Sequence, residues 1–229
     1  MRVVDLSTLS EYEARQGDVL TGVATEESHI TIADGATVTL RSVTISANPA
    51  FHEWAPLTCL GDACIILDGI NSIRSHHHRY PGILAAPGKT LVIDGFGSLS
   101  VSSVGNGAGV GGGYQVPCGN IHIKNGFIVA QGGMGACGIG GGYYAACGSI
   151  LIEGGTITAL GGSMSSAIGS GLNGSCGDVT IGPHVIYLTA KKGECGDYPA
   201  DDIGRGPGGS CGAVANFSKD ETLIFPILQ

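Results

Sequence analysis

The sequence predicts an all-β fold, a single-stranded right-handed parallel β-helix (solenoid) of about seven coils with three short strands in each coil. Three observations lead to this prediction. Isolated apolar residues recur every 26 to 35 residues, the segments around them alternate apolar with small or polar residues, and 41 glycines concentrate between those segments. Fixed periods in this range indicate stacked structural units.

The first strand of each coil is predicted from an apolar residue that stands alone in a glycine-rich or turn-rich segment. Successive members lie 27, 26, 27, 29, 29 and 35 residues apart, and they are Ile30, Leu57, Ile83, Val110, Ile139, Ile168 and Ile203. We expect these side chains to point inward and to stack on one another.

The second and third strands are predicted from two further repeated positions. The second-strand residues are Val38, Ile65, Leu91, Ile121, Ile150, Val179 and Val214. The third-strand residues are Ile45, Ile73, Leu99, Ile128, Ile157 and Ile186. Segments such as "GTITAL" and "NIHIK" alternate with period two and contain β-branched residues, which favours strands over helices.

Glycines are predicted to form the corners. "LDGINS", "IDGFGS", "IKNGFI" and "IEGGTI" separate the second strand from the third and supply residues that accept positive φ. In "GAGVGGG" and "ACGIGGG" we expect glycine where neighbouring backbones leave no room for a Cβ. Crossover connections between parallel strands are overwhelmingly right-handed, which sets the predicted hand.

The whole chain, residues 1–229, is predicted to be one domain. Residues 1–29 form an N-terminal cap or first irregular coil, residues 30–212 form the repeat coils, and residues 213–229 form a C-terminal cap or docking tail. The apolar tail "ETLIFPILQ" either covers the last coil or packs against a partner, in a homo-oligomer or on a larger particle.

Charge and hydropathy exclude two classes of partner. The net charge is −8 and only 11 Lys and Arg are spread through the chain, so we expect no nucleic-acid binding. No window of about 18 apolar residues is present, so we expect no membrane insertion. The N-terminus does not read as a signal peptide.

Four cysteines occupy one repeated position, at intervals of 29, 29 and 35 residues, and they are Cys118, Cys147, Cys176 and Cys211. We predict a column of free, buried thiols, because side chains stacked in parallel point the same way rather than at each other. Oxidation or metal binding is the alternative. The remaining cysteines, Cys59, Cys64, Cys137 and Cys195, lie off this column.

Several segments resemble the glycine-rich β-helix repeats of bacterial cell-surface proteins of the carbohydrate-binding-domain type. They are "GAGVGGG", "CGNIHIKNGFIVAQGG", "CGIGGG" and "CGSILIEGGTITALGG", with "IADGATVTL" and "APGKTLVIDGFGSLSVSS" resembling the opening coils. The resemblance covers about residues 30–212. It implies a pectin-lyase-like architecture and contact with a glycan outside a cell, and it carries over no catalytic residue.

Aromatic residues at the corners are the predicted carbohydrate-binding residues. They are Tyr114, Tyr143, Tyr144, Trp54 and Tyr80. Aromatic rings with a polar tip provide the kind of face on which sugar rings stack, and such residues are enriched at binding sites. The alternative is that these rings pack over the corners and shield the core.

Catalysis is the weaker interpretation. A calcium-dependent polysaccharide lyase needs clustered carboxylates and a nearby base. The candidate residues, Arg41, Asp68, Asp94, Lys124 and Glu153, alternate in sign, which favours a solvated charge ladder over a calcium site at Asp68 and Asp94. The run His76, His77 and His78 is interpreted as a polar corner, because alternate side chains of an extended segment diverge. We predict no catalytic residue, no metal site and no cofactor.

The sequence therefore predicts a non-enzymatic rod for surface display and recognition that binds a glycan weakly. A phage fibre or decoration protein on the virion surface is the favoured setting. A cell-surface adhesin module, exported as part of a longer protein, is the alternative, and a calcium-dependent polysaccharide lyase is the second alternative.

Overall fold

A computed structural model describes residues 2–47 and 54–217, and within them one 3-10 turn, Leu6–Thr8, accompanies a fold made otherwise of strands. The strands, in chain order, are β1 (Arg2–Asp5), β2 (Glu11–Ala14), β3 (Asp18–Val23), β4 (His29–Ile32), β5 (Ala36–Ala47), β6 (Leu57–Cys59), β7 (Ala63–Asp68), β8 (Ile70–Ser75), β9 (Ile83–Leu84), β10 (Thr90–Gly95), β11 (Ser98–Ser103), β12 (Val110–Gly111), β13 (Asn120–Ile123), β14 (Phe127–Gln131), β15 (Ile139–Gly140), β16 (Ile150–Leu160), β17 (Ile168–Gly169), β18 (Ser175–Cys176), β19 (Val179–Lys191), β20 (Ile203–Gly204), β21 (Ser210–Cys211) and β22 (Val214–Asn216).

The strands stack in parallel into a β-solenoid, which confirms the predicted fold class. The first strands of successive coils form an eight-stranded sheet in the order β2-β4-β6-β9-β12-β15-β17-β20. Second and third strands form one twelve-stranded sheet, because β5, β16 and β19 run through the corner that separates them in other coils. The solenoid has about six turns, close to the predicted seven.

The predicted first-strand column is confirmed in every coil. Ile30 pairs with Leu57, Leu57 with Ile83, and the series continues in register through Val110, Ile139, Ile168 and Ile203. All seven side chains are buried in one continuous apolar core. This column fixes the register of the coils on which the candidate site is built.

The second- and third-strand columns are partly wrong in register. Leu91 lies opposite Ala63 rather than Ile65, whose neighbour is Ile93. In the third strand, Leu99 lies opposite the buried Asn71. A shift of two residues keeps the same side chains facing inward, so the alternating pattern alone does not distinguish the two registers.

Ile186 was predicted to continue the third-strand column after Ile157, and this is wrong. The side chain is 70% exposed. The strand β19 has an extra residue here relative to β16, because Val185 faces Gly155 while Tyr187 faces the next residue, Thr156. This irregularity turns Ile186 outward and places Leu188 opposite Ile157 in the core.

Stacked glycines bring adjacent coils into close contact. Gly111, Gly140, Gly169 and Gly204 share one register position and have φ between +127° and +135°. A Cβ on any of the first three would overlap the carbonyl oxygen of the glycine in the next coil. The glycines therefore stand where neighbouring backbones leave no room, as the repeat indicated.

The chain begins with an incomplete coil around a buried carboxylate. β2 pairs with β4, β3 pairs with β5, and β1 lies outside β3. Asp18 accepts hydrogen bonds from Arg2 Nη2 at 2.9 Å, from the Tyr12 hydroxyl at 2.7 Å and from Arg15 N at 2.9 Å. These bonds, led by that of Arg2, lower the pKa of Asp18 below its ordinary range.

The predicted docking tail lies mostly outside the described residues, which end at 217. Its described part contains β22, which pairs with β19. Across residues 2–47 and 54–217, no helix has the length and apolar character needed to cross a bilayer.

The predicted column of free thiols is wrong for two of its four members. Cys176 and Cys211 form a disulfide, with Cα atoms 4.5 Å apart on the paired strands β18 and β21. Cys118 and Cys147 are free and buried. The prediction failed because it assumed that stacked side chains point the same way, whereas the Cys176 and Cys211 sulfurs turn toward each other.

Candidate functional site

Three of the five predicted aromatic residues form one cluster. The rings of Tyr143 and Tyr144 stack with centroids 4.3 Å apart and planes inclined by 16°. The Tyr114 ring meets both at a steep angle, with its centroid 5.5 Å from that of Tyr143 and 6.3 Å from that of Tyr144. Tyr144 is exposed, and the other two rings are half-buried.

A groove of about 510 Å³ runs beside this cluster. Its lining residues are His78, Arg79, Asn106, Tyr114, Gln115, Met134 and Tyr143. Among these described residues none carries a carboxylate, although the whole chain has a net charge of −8. The groove therefore combines aromatic surface, amide groups and basic side chains.

The backbone sets the direction of the tyrosine side chains. Gln115 and Tyr144 occupy equivalent places in adjacent coils and both have left-handed φ, +55° and +56°. Left-handed residues are uncommon outside glycine and mark tight turns. Hydrogen bonds hold these turns in place, since Gln115 N donates to the Tyr143 carbonyl at 2.9 Å and Tyr144 N to that of Leu172 at 2.9 Å.

Inter-coil hydrogen bonds also attach the cluster to the wall of the groove. Tyr114 N donates to the Arg79 carbonyl at 2.6 Å, and Tyr143 N donates to the Asn106 carbonyl at 3.2 Å. The Asn106 amide in turn donates to the Met134 carbonyl at 2.8 Å. Three coils therefore contribute to one site, and each is held to the next through the backbone.

A glycine makes space for the central ring. A Cβ on Gly135 would lie 2.9 Å from Cγ of Tyr143, and Gly135 has φ of +73°. Any larger residue here would displace the ring as well as strain the backbone. The position of Tyr143 thus depends on a glycine from its own coil.

The pKa of the Tyr143 phenol is raised, so this group remains protonated over a wide pH range. A hydrogen bond with Tyr144 raises the pKa of Tyr143 above its ordinary value, and desolvation adds to the shift. A neutral phenol both donates and accepts hydrogen bonds, as sugar hydroxyls do. The pair therefore has polar tips suited to hydroxyl groups.

The other two predicted aromatics do not join the cluster. Trp54 stacks on His29 with centroids 4.6 Å apart, in an earlier coil. Tyr80 is half-buried, lies 5.0 Å from the ring of His77 and is not part of the groove lining. These two residues therefore lie outside the groove, and each ring packs against a histidine.

The backbone at the histidine run is bent, not extended as the sequence analysis assumed. His77 is buried and its ring stacks on that of His78, with centroids 4.4 Å apart. Adjacent side chains were expected to diverge, but the chain bends at residues 77–79 and is not extended there. The bend brings His78 and Arg79 to the edge of the groove.

Arg79 is a groove residue that the sequence analysis missed. Its Nε is shielded from solvent and has no hydrogen-bond partner among the described residues. The repeat spacing could have identified it, since Arg79 precedes Ile83 by four positions and Asn106 precedes Val110 by four positions. Equal offsets from the confirmed column place residues at the same corner.

The predicted charge ladder is split between two registers. Arg41 pairs with Asp68 at 2.7 Å, and His122, rather than Lys124, pairs with Glu153 at 2.8 Å. Asp94 lies opposite Ile66, two residues from Asp68. Asp68 and Asp94 line one groove of about 850 Å³, but across the described ranges no group of three His, Cys, Asp or Glu could hold a metal ion.

Comparison of the chain with protein-family models, curated proteins and solved structures finds no match. The site places aromatic ring faces, phenol hydroxyls, amides and basic side chains together on a backbone held by hydrogen bonds between coils.

Proposed function

We propose that the protein is a non-enzymatic β-helical recognition rod that binds carbohydrate in the tyrosine groove. The observation that carries the proposal is the convergence of Tyr114, Tyr143 and Tyr144 beside a groove that also contains amide and basic groups. Ligand sites typically combine aromatic walls with a few placed polar groups. The same groove would serve a phage appendage or a cell-surface adhesin.

The basic residues favour a saccharide that carries a carboxylate. His78 and Arg79 line the groove, and no residue of its lining carries a carboxylate that would neutralise them. Guanidinium groups recognise carboxylates through directed, charge-assisted hydrogen bonds. We therefore expect uronic-acid oligosaccharides to bind more tightly than neutral ones of the same linkage.

A glycan array followed by calorimetry tests the proposal. The Tyr114→Ala, Tyr143→Ala double variant should lose about 1 kcal/mol per ring, so binding should weaken about 25-fold or more. The matched control, Trp54→Ala, removes an aromatic residue outside the groove and should bind normally. Equal affinity of the double variant and wild type, or an array without any ligand, would contradict the proposal.

Two further measurements separate binding from catalysis. Binding should survive chelation with EDTA, because the groove needs no calcium in this proposal. Incubation with a pectin panel should release no unsaturated oligosaccharide. Release of such products would establish a lyase and overturn the non-enzymatic assignment.

A further inference from the structure

The two free cysteines of the column repeat the arrangement of the bonded pair two coils earlier in the solenoid. Cys118 and Cys147 are separated by 29 residues, one full coil, and Cys176 and Cys211 by 35. Gly148 N donates to the Cys118 carbonyl at 3.2 Å, and Gly212 N donates to the Cys176 carbonyl at 3.1 Å. Gly177 N donates to the Cys147 carbonyl in the same way, at 3.2 Å, so this contact spaces every adjacent pair of the column and only the sulfur directions distinguish the pairs.

The sulfur positions also repeat. Sγ of the first cysteine lies near a glycine carbonyl of the following coil, Gly140 for Cys118 at 3.5 Å and Gly204 for Cys176 at 3.9 Å. The second cysteine of each pair leans the opposite way. Its sulfur lies near the glycine that follows the first cysteine, Gly119 for Cys147 at 3.7 Å and Gly177 for Cys211 at 3.3 Å.

These directions pair the cysteines in twos. Within each pair, the first sulfur leans toward the following coil and the second leans back, so the two approach each other. Between the pairs, Cys147 leans back and Cys176 leans forward, so these two sulfurs separate.

We propose that Cys118 and Cys147 form a second inter-coil disulfide by exchange with a low-molecular-weight disulfide. One cysteine thiolate attacks the reagent, breaks its S–S bond and forms a mixed disulfide, releasing one reagent thiolate. The second cysteine thiolate then attacks the cysteine sulfur of the mixed disulfide and releases the other reagent thiolate. The two cysteine protons pass to the released thiolates, so the reagent leaves as two thiols.

Burial determines when this reaction takes place. Both thiols are buried, and the neighbouring Cys118 side chain, together with desolvation, raises the pKa of Cys147. The thiolate is the reactive form, so exchange is slow in the folded rod and proceeds during folding or local opening. The resulting disulfide links two coils covalently next to the tyrosine groove. Tyr114 and Tyr143 of that groove precede Cys118 and Cys147 by four positions.

Refolding in glutathione buffers of graded oxidation tests the proposal. Remaining thiols are alkylated after denaturation, and disulfide-linked peptides are mapped by mass spectrometry. We expect a Cys118–Cys147 peptide to accompany the Cys176–Cys211 peptide, which serves as an internal positive control. The added bridge should raise the melting temperature by about 7–14 °C relative to a Cys118→Ser, Cys147→Ser variant.

Cys137→Ser is the matched control, because Cys137 is a buried thiol outside the column. This variant should keep both bridges. The proposal is overturned if Cys118 and Cys147 remain fully alkylated in buffers that complete the Cys176–Cys211 bridge. A Cys147–Cys176 linkage would overturn it equally, because the sulfur directions exclude that pairing.

Discussion

Replacing Gly140 with alanine tests whether stacked glycines set the spacing of the coils. Gly140 has φ of +128°, and a Cβ there would overlap the carbonyl oxygen of Gly169 in the next coil. Gly88 is the control, because it has φ of +72° but no heavy atom within 4 Å of the added Cβ. Both substitutions place a side chain at positive φ, which costs about 1–2 kcal/mol in the left-handed region of Gly88 and about 1–3 kcal/mol at the φ of Gly140. Only Gly140→Ala must also push coils apart, which costs about 1–3 kcal/mol more by analogy with overpacked cores.

Thermal unfolding followed by circular dichroism measures the difference. We expect Gly140→Ala to lower the free energy of unfolding by about 3 kcal/mol and the melting temperature by about 6–12 °C. Gly88→Ala should lower the free energy of unfolding by about 1.5 kcal/mol and the melting temperature by about 3–6 °C. Equal effects of the two substitutions would refute the argument from close backbone contact, since conformational strain alone would then account for both.

Three more predictions concern the core and the pH dependence of stability. Ile139→Ala should cost about 3 kcal/mol by urea unfolding because the side chain is fully buried, whereas Ile186→Ala should cost less than about 0.5 kcal/mol; equal costs would contradict the bulge in β19. Asp18→Asn should cost about 2 kcal/mol at pH 7. The folded-state pKa of Asp18 lies below its ordinary value, so this carboxylate stabilises the fold above the ordinary pKa and ceases to do so as pH falls through the folded pKa. The difference in the free energy of unfolding between the variant and wild type should therefore narrow below about pH 4. A constant difference down to pH 2 would contradict the stabilising role of the ionised carboxylate. Burial raises the pKa of Cys59 and Cys137 to about 12, so the stability that these neutral thiols contribute is complete below the ordinary thiol pKa and is lost as pH rises from about 9 toward 12. Replacing both cysteines with alanine should reduce the decrease in the free energy of unfolding over this pH range, as measured by urea unfolding. A pH profile identical to that of wild type would contradict this prediction.

The fold was predictable where glycine and apolar residues recur together. In the first-strand column, each apolar residue lies in a short strand next to a tight corner, so a shifted register would place a side chain where two backbones meet. The longer second and third strands lack that constraint. Leu91 and Ile93 satisfy the same alternation, and the extra residue at Ile186 leaves no signature in composition.

The site was predictable in part for the same reason. Tyr114 and Tyr143 follow their column residues by equal intervals, so their proximity follows from the repeat. The bend that carries His78 and Arg79 occurs in a coil without this tyrosine, and only the structure shows that it completes the groove. The pairing of Cys176 with Cys211 depends on side-chain direction, which residue spacing does not specify.

The central claim is that a saccharide binds against the tyrosine cluster, and an NMR titration of protein labelled with ¹³C-tyrosine tests it most directly. The chain has seven tyrosines, of which three form the cluster. Titration with the strongest ligand from the glycan array should shift the ring signals of Tyr114, Tyr143 and Tyr144 along one saturable curve, leaving the other four unchanged. Saturable binding that shifts only tyrosines outside the cluster, or none at all, would contradict the account.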